Sequence, residues 1–208
     1  MQGQNLNVQI MISGEKAALG PLRRELLPLY QKWINDFEVN RTLGLSRRPM
    51  TLEAETAWYE SLVKNESTVA FTIYRVPGLQ PVGNCSLMHI DLGNETATFG
   101  IVIGEPEAWN QGVGTEVTSL MLGYAFDVLG LHNVSLEVYP HNPAAIRAYE
   151  KAGFREVGRR RQAKKFGRRR YDVVIMDAIA DDLPPSTLDA LMREGQPSTR
   201  IQPPENAR

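Results

Sequence analysis

Cysteine occurs once in the 208 residues, as Cys85, and histidine three times, as His89, His132 and His141. A single thiol excludes an internal disulfide, and scattered histidines provide no metal-ligand spacing, so no metal site is expected. Long apolar runs are also missing. Stretches such as Val173 to Met176 fall far short of the roughly 18 residues of a membrane-crossing helix. Met1 to Asn5 has neither the basic start nor the apolar segment of a secretory leader, and the expectation is a cytoplasmic protein. Net charge is almost absent: 23 Lys and Arg stand against 24 Asp and Glu, a total of −1, which argues against a protein devoted to nucleic acid. What is present is 42% hydrophobic and 23% charged sequence, enough to build a core. The length suggests one domain with an appendage. The expected division is a domain over 1–180 and a proline-bearing tail over 181–208 with a short helix near Ser186 to Arg193.

The charge is unevenly spread. Between Arg155 and Arg170 nine basic residues face one acid, Glu156, a local charge of +8. Such a patch attracts phosphates or an acidic partner, and equally describes a solvated hairpin tip.

Hydrophobic periodicity organises the rest. Leu6 to Ile12 alternates loosely and reads as a first strand. A helix opens with Pro28 in its first turn and runs through Trp33 to Asn35 and Asp36. A second follows Thr51 with Trp58, Tyr59, Leu62 and Val63 on one face. Val69 to Val76, Val82 to Asp91 and Glu95 to Ile103 form an antiparallel meander, with Pro77-Gly78 and Gly93-Asn94 as turns. Val117, Leu120, Met121, Tyr124, Ala125, Val128 and Leu129 then mark an amphipathic helix closed by Gly130. Val134, Leu136 and Val138 form a strand, Asn142-Pro143 opens a helix ending at Gly153, and strands near Phe154 to Arg160 and Arg170 to Ile179 flank a basic turn.

Between the third meander strand and the long helix lies Glu105-Pro-Glu-Ala-Trp-Asn-Gln-Gly-Val-Gly-Thr115. Gly112 and Gly114 let backbone approach a ligand, and the free N–H groups of a helix start suit an anion. A Rossmann fingerprint would place a third glycine where Val117 stands, and no Gly-Lys-Ser/Thr follows for a nucleotide-triphosphate loop. A plain strand-to-helix turn is the alternative reading.

This turn, the long helix, Leu136-Glu-Val138 and Asn142-Pro-Ala-Ala-Ile-Arg-Ala-Tyr-Glu-Lys-Ala-Gly-Phe154 together resemble the GNAT superfamily of acyl-CoA-dependent N-acyltransferases. The likeness is nearest the branch of ribosomal-protein N-terminal and spermidine acetyltransferases, and covers Leu19 to Ile179. Trp109 stands where the superfamily often has Arg or Gln, as that branch tolerates. The resemblance implies an α/β (α+β) fold, with a mixed, mostly antiparallel sheet of about seven strands splayed at its middle and about four helices. It implies acetyl-CoA as co-substrate, its pyrophosphate wrapped by Asn110, Gln111, Gly112, Val113, Gly114 and Thr115. The pantetheine arm would pair with Val102 and Ile103, and Asn142 would bond to it. Trp33, Asp36 and Glu38 would border the acceptor site.

Acyl transfer from a thioester to an amine poses two proton problems. An ammonium of pKa near ~10 must lose a proton, and a thiolate of pKa about 8.5 must gain one. Glu137, alternating away from the apolar side of its strand, is the expected base, with a solvent-facing glutamate as the plain alternative. Tyr149, beside the sulfur in the resemblance, is the expected acid, with a core tyrosine as the alternative. Positioning and a backbone N–H near Ile103 would supply the rest. Cys85 reads as a core residue. The expected activity is acetyl transfer to a primary amine, of a small molecule or a protein N-terminus, in a ternary complex. A non-catalytic acyl-CoA sensor and, last, an RNA-binding module on the basic segment are the competing readings. No membrane partner is expected, and a homodimer is open.

Overall fold

The computed structural model describes residues 8–43 and 48–193. The chain enters through β1 (Ile12–Ser13) and β2 (Ala17–Pro21), followed by α1 (Leu27–Asn35), α2 (Phe37–Asn40) and α3 (Leu52–Val63). The meander β3 (Val69–Arg75), β4 (Gln80–Asp91) and β5 (Thr96–Ile103) leads to α4 (Val113–Gly123), β6 (Asn133–Val138) and α5 (Pro143–Ala152). The hairpin β7 (Arg155–Phe166) and β8 (Arg169–Ile179) precedes α6 (Thr187–Arg193). The strands form one eight-stranded sheet in the order β1-β2-β3-β4-β5-β6-β8-β7, antiparallel at every junction except β5 with β6. This is the mixed, mostly antiparallel α/β architecture expected, with one strand more than the seven counted.

The additional strand is β2. Ala17, Ala18 and Leu19 are all buried, so Ala-Ala-Leu-Gly-Pro shows no alternation and carries residues of low strand propensity. The strand expected at Leu6 to Ile12 is displaced: pairing begins at Ile12, and Leu6 and Asn7 lie outside the described residues.

Two apolar layers cover the sheet. Val117, Met121 and Ala125 of the central helix join Phe99, Leu136, Phe154 and Met176 in the larger core, and Leu27, Tyr30 and Trp33 of α1 join Ala18 and Tyr74 in the smaller one. The central helix does not continue as α-helix to Leu129. Residues Tyr124–Val128 wind as a π-helical turn closed by the Leu129 N–H to Tyr124 carbonyl bond, and Gly130 then takes a φ of 67°. On α3 the inward positions are Glu55, Tyr59 and Leu62, whereas Val63, expected on the apolar face, is 68% exposed.

The basic segment is not a turn. β7 carries it as an extended edge strand, with only Gly167 and Arg168 between the paired strands and register shifts at Glu156/Gly158 and Arg160/Lys164. A charged, bulged edge strand resists pairing with another chain, which is a structural use for these cations. Part of the expected tail packs on the core through Leu183 and Leu188, and Asp127 Oδ2 accepts the Ser186 N–H at 2.9 Å. No helix of the described residues is long and apolar enough to cross a membrane.

Candidate active site

The parallel junction of the sheet is short. β5 and β6 pair only through Thr96, Ala97 and Thr98 with Asn133, Val134 and Ser135. Beyond Thr98, β5 continues along β4 to Ile103, and beyond Ser135, β6 continues along β8 to Val138. The two strands therefore part and leave a wedge. Phe99, the first residue past the fork, stacks on Phe154 at 6.2 Å and meets Tyr149 edge-on at 6.3 Å. The wedge opens into a cavity of about 1220 Å³.

Its first bank is a free strand edge. Gly104 N–H donates to the Val82 carbonyl at 2.8 Å, and the β4–β5 register pairs Asn84 with Val102 and Ser86 with Gly100. Antiparallel alternation then turns the backbone groups of Ile101 and Ile103 to the opposite edge, which β6 has left. Trp109 Nε1 donates to the Ile103 carbonyl at 2.9 Å, leaving the Ile103 N–H and the Ile101 amide on that edge. Val102, expected to pair with an extended ligand, directs its backbone groups to β4, whereas Ile101, one position earlier, directs its own to the edge that β6 has left.

At the end of this bank stands the start of α4. Asn110 and Gly112 both have positive φ, 58° and 84°. Gly112 is the N-cap and has no side-chain capping bond, so the N–H groups of Val113, Gly114 and Thr115 are left without intrahelical or side-chain acceptors. Open amides and the positive helix end form an anion cradle. The Glu116 carboxylate accepts the N–H groups of Glu15, Lys16 and Ala17 at 2.9, 2.8 and 2.6 Å, tying the β1–β2 turn to the helix. This carries the Lys16 ammonium to Gly112, where Nζ lies 2.9 Å from the position a Cβ would take. Lys16 is a residue the sequence reading misses, since it lies roughly a hundred positions from the turn it faces.

Side chains form the other bank. Glu137 comes from β6, Tyr139 from the position just after it, and Tyr149 from α5. Burial pushes the Tyr149 phenol up to about 12, so it is protonated at neutral pH. Glu137 is half exposed and receives a bond from Arg160 Nη2 at 2.5 Å. Asn142 Oδ1 caps α5 through the Ala145 N–H at 3.2 Å. Burial pushes the Cys85 thiol up as well, and it stays a core residue.

A family model described as the acetyltransferase (GNAT) domain matches residues 17–155. The chain belongs to the GNAT acetyltransferase family. It is 30% identical over 166 residues to a human alpha/beta-tubulin-N-acetyltransferase 9, covering 73% of this chain and 78% of the relative. The mouse protein of that name is 29% identical over 163 residues, covering 73% and 67%. Among solved structures, a spermidine N-acetyltransferase from Vibrio cholerae in complex with CoA and spermine superposes with a TM-score of 0.75 at 23% identity, covering 80% of this chain and 97% of that one. A GNAT-family acetyltransferase from Bacillus anthracis superposes with a TM-score of 0.69 at 20% identity, covering 82% and 98%.

Within this GNAT domain the expected residues separate. Gly112, Gly114, Thr115, Asn110, Val102, Ile103, Asn142, Glu137, Tyr149, Trp33 and Glu38 line the one cavity. Gln111 turns back to the Glu107 carbonyl, and the Val113 side chain is buried in the core. Asp36 is the N-cap of α2, its Oδ1 accepting the Glu38 N–H at 2.7 Å, and it does not reach the cavity. Trp33 is buried, with its indole N–H on Glu105 Oε1 at 2.8 Å. Burial alone would raise the Glu105 carboxyl, but the Trp33 N–H and Lys32 ammonium outweigh it and hold it below the usual range.

Proposed function

We propose that this GNAT acetyltransferase moves an acetyl group from acetyl-CoA to a primary amine by direct attack in a ternary complex. The wedge between β5 and β6, with Tyr149 inside it, carries this reading. The chain fits the co-substrate: the uncapped amides of α4 suit a pyrophosphate, and the Ile101 and Ile103 edge suits an amide-bearing arm. Acetyl-CoA supplies a thioester-activated acetyl group.

The protein's part is positioning and proton management. Residues 112–115 and Lys16 hold the phosphates, and the Ile103 N–H donates toward the acyl oxygen. Glu137 takes the ammonium proton, directly or through water, with Arg160 fixing one of its oxygens. The amine nitrogen bonds to the acyl carbon, the carbon–sulfur bond breaks, Tyr149 gives its proton to the sulfur, and the proton that the nitrogen sheds on becoming an amide restores the phenol. Glu38 and Trp33 border the acceptor side. The acceptor is a polyamine-like small molecule or a protein N-terminus; the names of the Vibrio and human relatives give a polyamine, spermidine, and a protein, tubulin.

The test is an amine panel with acetyl-CoA and thiol detection, containing spermidine, 1,4-diaminobutane and a peptide with a free N-terminus. Thiol release with at least one amine is the expected result. Turnover of the peptide alone removes the small-molecule acceptor, turnover of polyamines alone removes the protein one, and CoA binding with no turnover overturns the reading.

A further inference from the structure

Glu55 is anomalous for its place. It lies in the first turn of α3, where a carboxylate would ordinarily face water and favour the positive helix end. Its side chain instead turns inward and is 3% exposed. Among the described residues it has no hydrogen bond to its carboxylate and no ion pair, although a buried charge normally requires both. Burial raises its pKa above the ordinary glutamate range.

The same group lines the cavity of the wedge, on the side walled by α1 and α3. Tyr30, Trp33, Met50 and Trp58 line the same cavity, as does Asn84 of β4. Asn84 Oδ1 is itself buried and has no hydrogen-bond partner. Two unpartnered oxygen acceptors, one of them a carboxylate, therefore face one cavity lined with aromatic rings. A ligand that satisfies both must donate hydrogen bonds and is best served by positive charge, and aromatic faces favour the same cation.

We propose that Glu55 is the binding residue for a cationic nitrogen of the acceptor, with Asn84 as a further hydrogen-bond acceptor in the same cavity. The assignment rests on the reading that this wedge acetylates amines, and it narrows the acceptor to one that enters as an ammonium. It also accounts for a costly burial, since a group that opposes folding in the empty protein is stabilised once a counter-ion arrives.

The test compares the wild-type chain with Glu55→Gln and Glu55→Leu, using the amine of the panel that is turned over best. Glu55→Gln is expected to raise the amine KM at least tenfold, leaving the acetyl-CoA KM within twofold. Removal of an unpaired buried charge is expected to hold or raise the thermal midpoint, by about 2 °C or more for Glu55→Leu. An amine KM within twofold of wild type overturns the assignment. So does a lowered midpoint in both variants, which would make Glu55 a structural group. Calorimetry of spermidine into the CoA-loaded protein separates this from failure of the acetyltransferase reading. If the wild type turns over no amine, spermidine heat that is present in wild type and lost in Glu55→Gln still supports Glu55; equal heats, or none in either, overturn it.

Discussion

On the α4 side, the wedge is walled by main chain: the edge amides of Ile101 and Ile103 and the open N–H groups of Val113 to Thr115. On the α1 and α3 side it is walled by side chains, with Glu38 on α2 and Glu55 and Trp58 on α3. Main-chain donors repeat at fixed spacing and read a constant ligand. Side chains at a few positions can be exchanged without disturbing the sheet, and they suit a surface that distinguishes one amine from another. The proposed catalytic pair, both side chains of the β6 and α5 bank, differs in burial instead. Tyr149 is held between Phe99 and Phe154, whereas Glu137 stands half in solvent with Arg160.

This contrast is testable, beginning with its largest effect. Tyr149→Phe removes the proposed acid while keeping the ring contacts, and kcat is expected to fall by about 10² to 10⁴ with CoA affinity unchanged. Steady-state rates and calorimetry together check this. Because burial raises the phenol to about 12, the acid stays protonated as pH rises, and wild-type kcat should show no tyrosine-dependent loss up to pH ~10. A decline over pH 8–10 that disappears in Tyr149→Phe would keep Tyr149 as the acid and contradict its raised pKa.

Gly114→Val attacks the main-chain bank. A Cβ at Gly114 meets nothing within 4 Å in the protein itself, so the new side chain starts in open space. CoA affinity should weaken roughly ten- to hundredfold, about 1.4 to 2.7 kcal/mol, with little change in midpoint. An unchanged Kd would place the phosphates elsewhere.

Glu137→Gln probes the exposed side-chain bank, and kcat should fall about tenfold or more at neutral pH. Arg160→Ala separates the roles: if it lowers kcat while Glu137→Gln does not, Arg160 acts on its own account and Glu137 is not the base. The smallest effect belongs to Lys16→Ala. Its cation is exposed, so CoA binding should weaken only a few-fold, and the difference should shrink as salt is raised toward ~1 M. A salt-independent difference would assign Lys16 a contact other than charge.

How far the sequence is legible follows from how local each feature is. The start of α4 is readable because Gly112-Val-Gly114 and the periodic run after it lie in one stretch. Asn142-Pro143 likewise announces both the cap and the first turn of α5. Asp36 misleads for the opposite reason: its charge suggests a ligand, but α2, which starts at the next residue, uses it as a cap. Glu55 escapes notice because an acidic residue near a helix start usually faces solvent, and only the packing of α3 on α1 turns it inward. β2 is invisible because a strand covered on both faces has no alternation to detect.

Most of the order of elements and the glycine turn follow from residue types at short spacing, because caps, turns and periodicity are local physics; the candidate acid and base come from the family resemblance that those motifs carry. The length of the parallel junction, the departure of β6 from β5, the arrival of Lys16 at Gly112 and the burial of Glu55 were decided by tertiary structure. Each depends on which distant surfaces come together, and contacts between residues far apart in the chain leave no pattern along it.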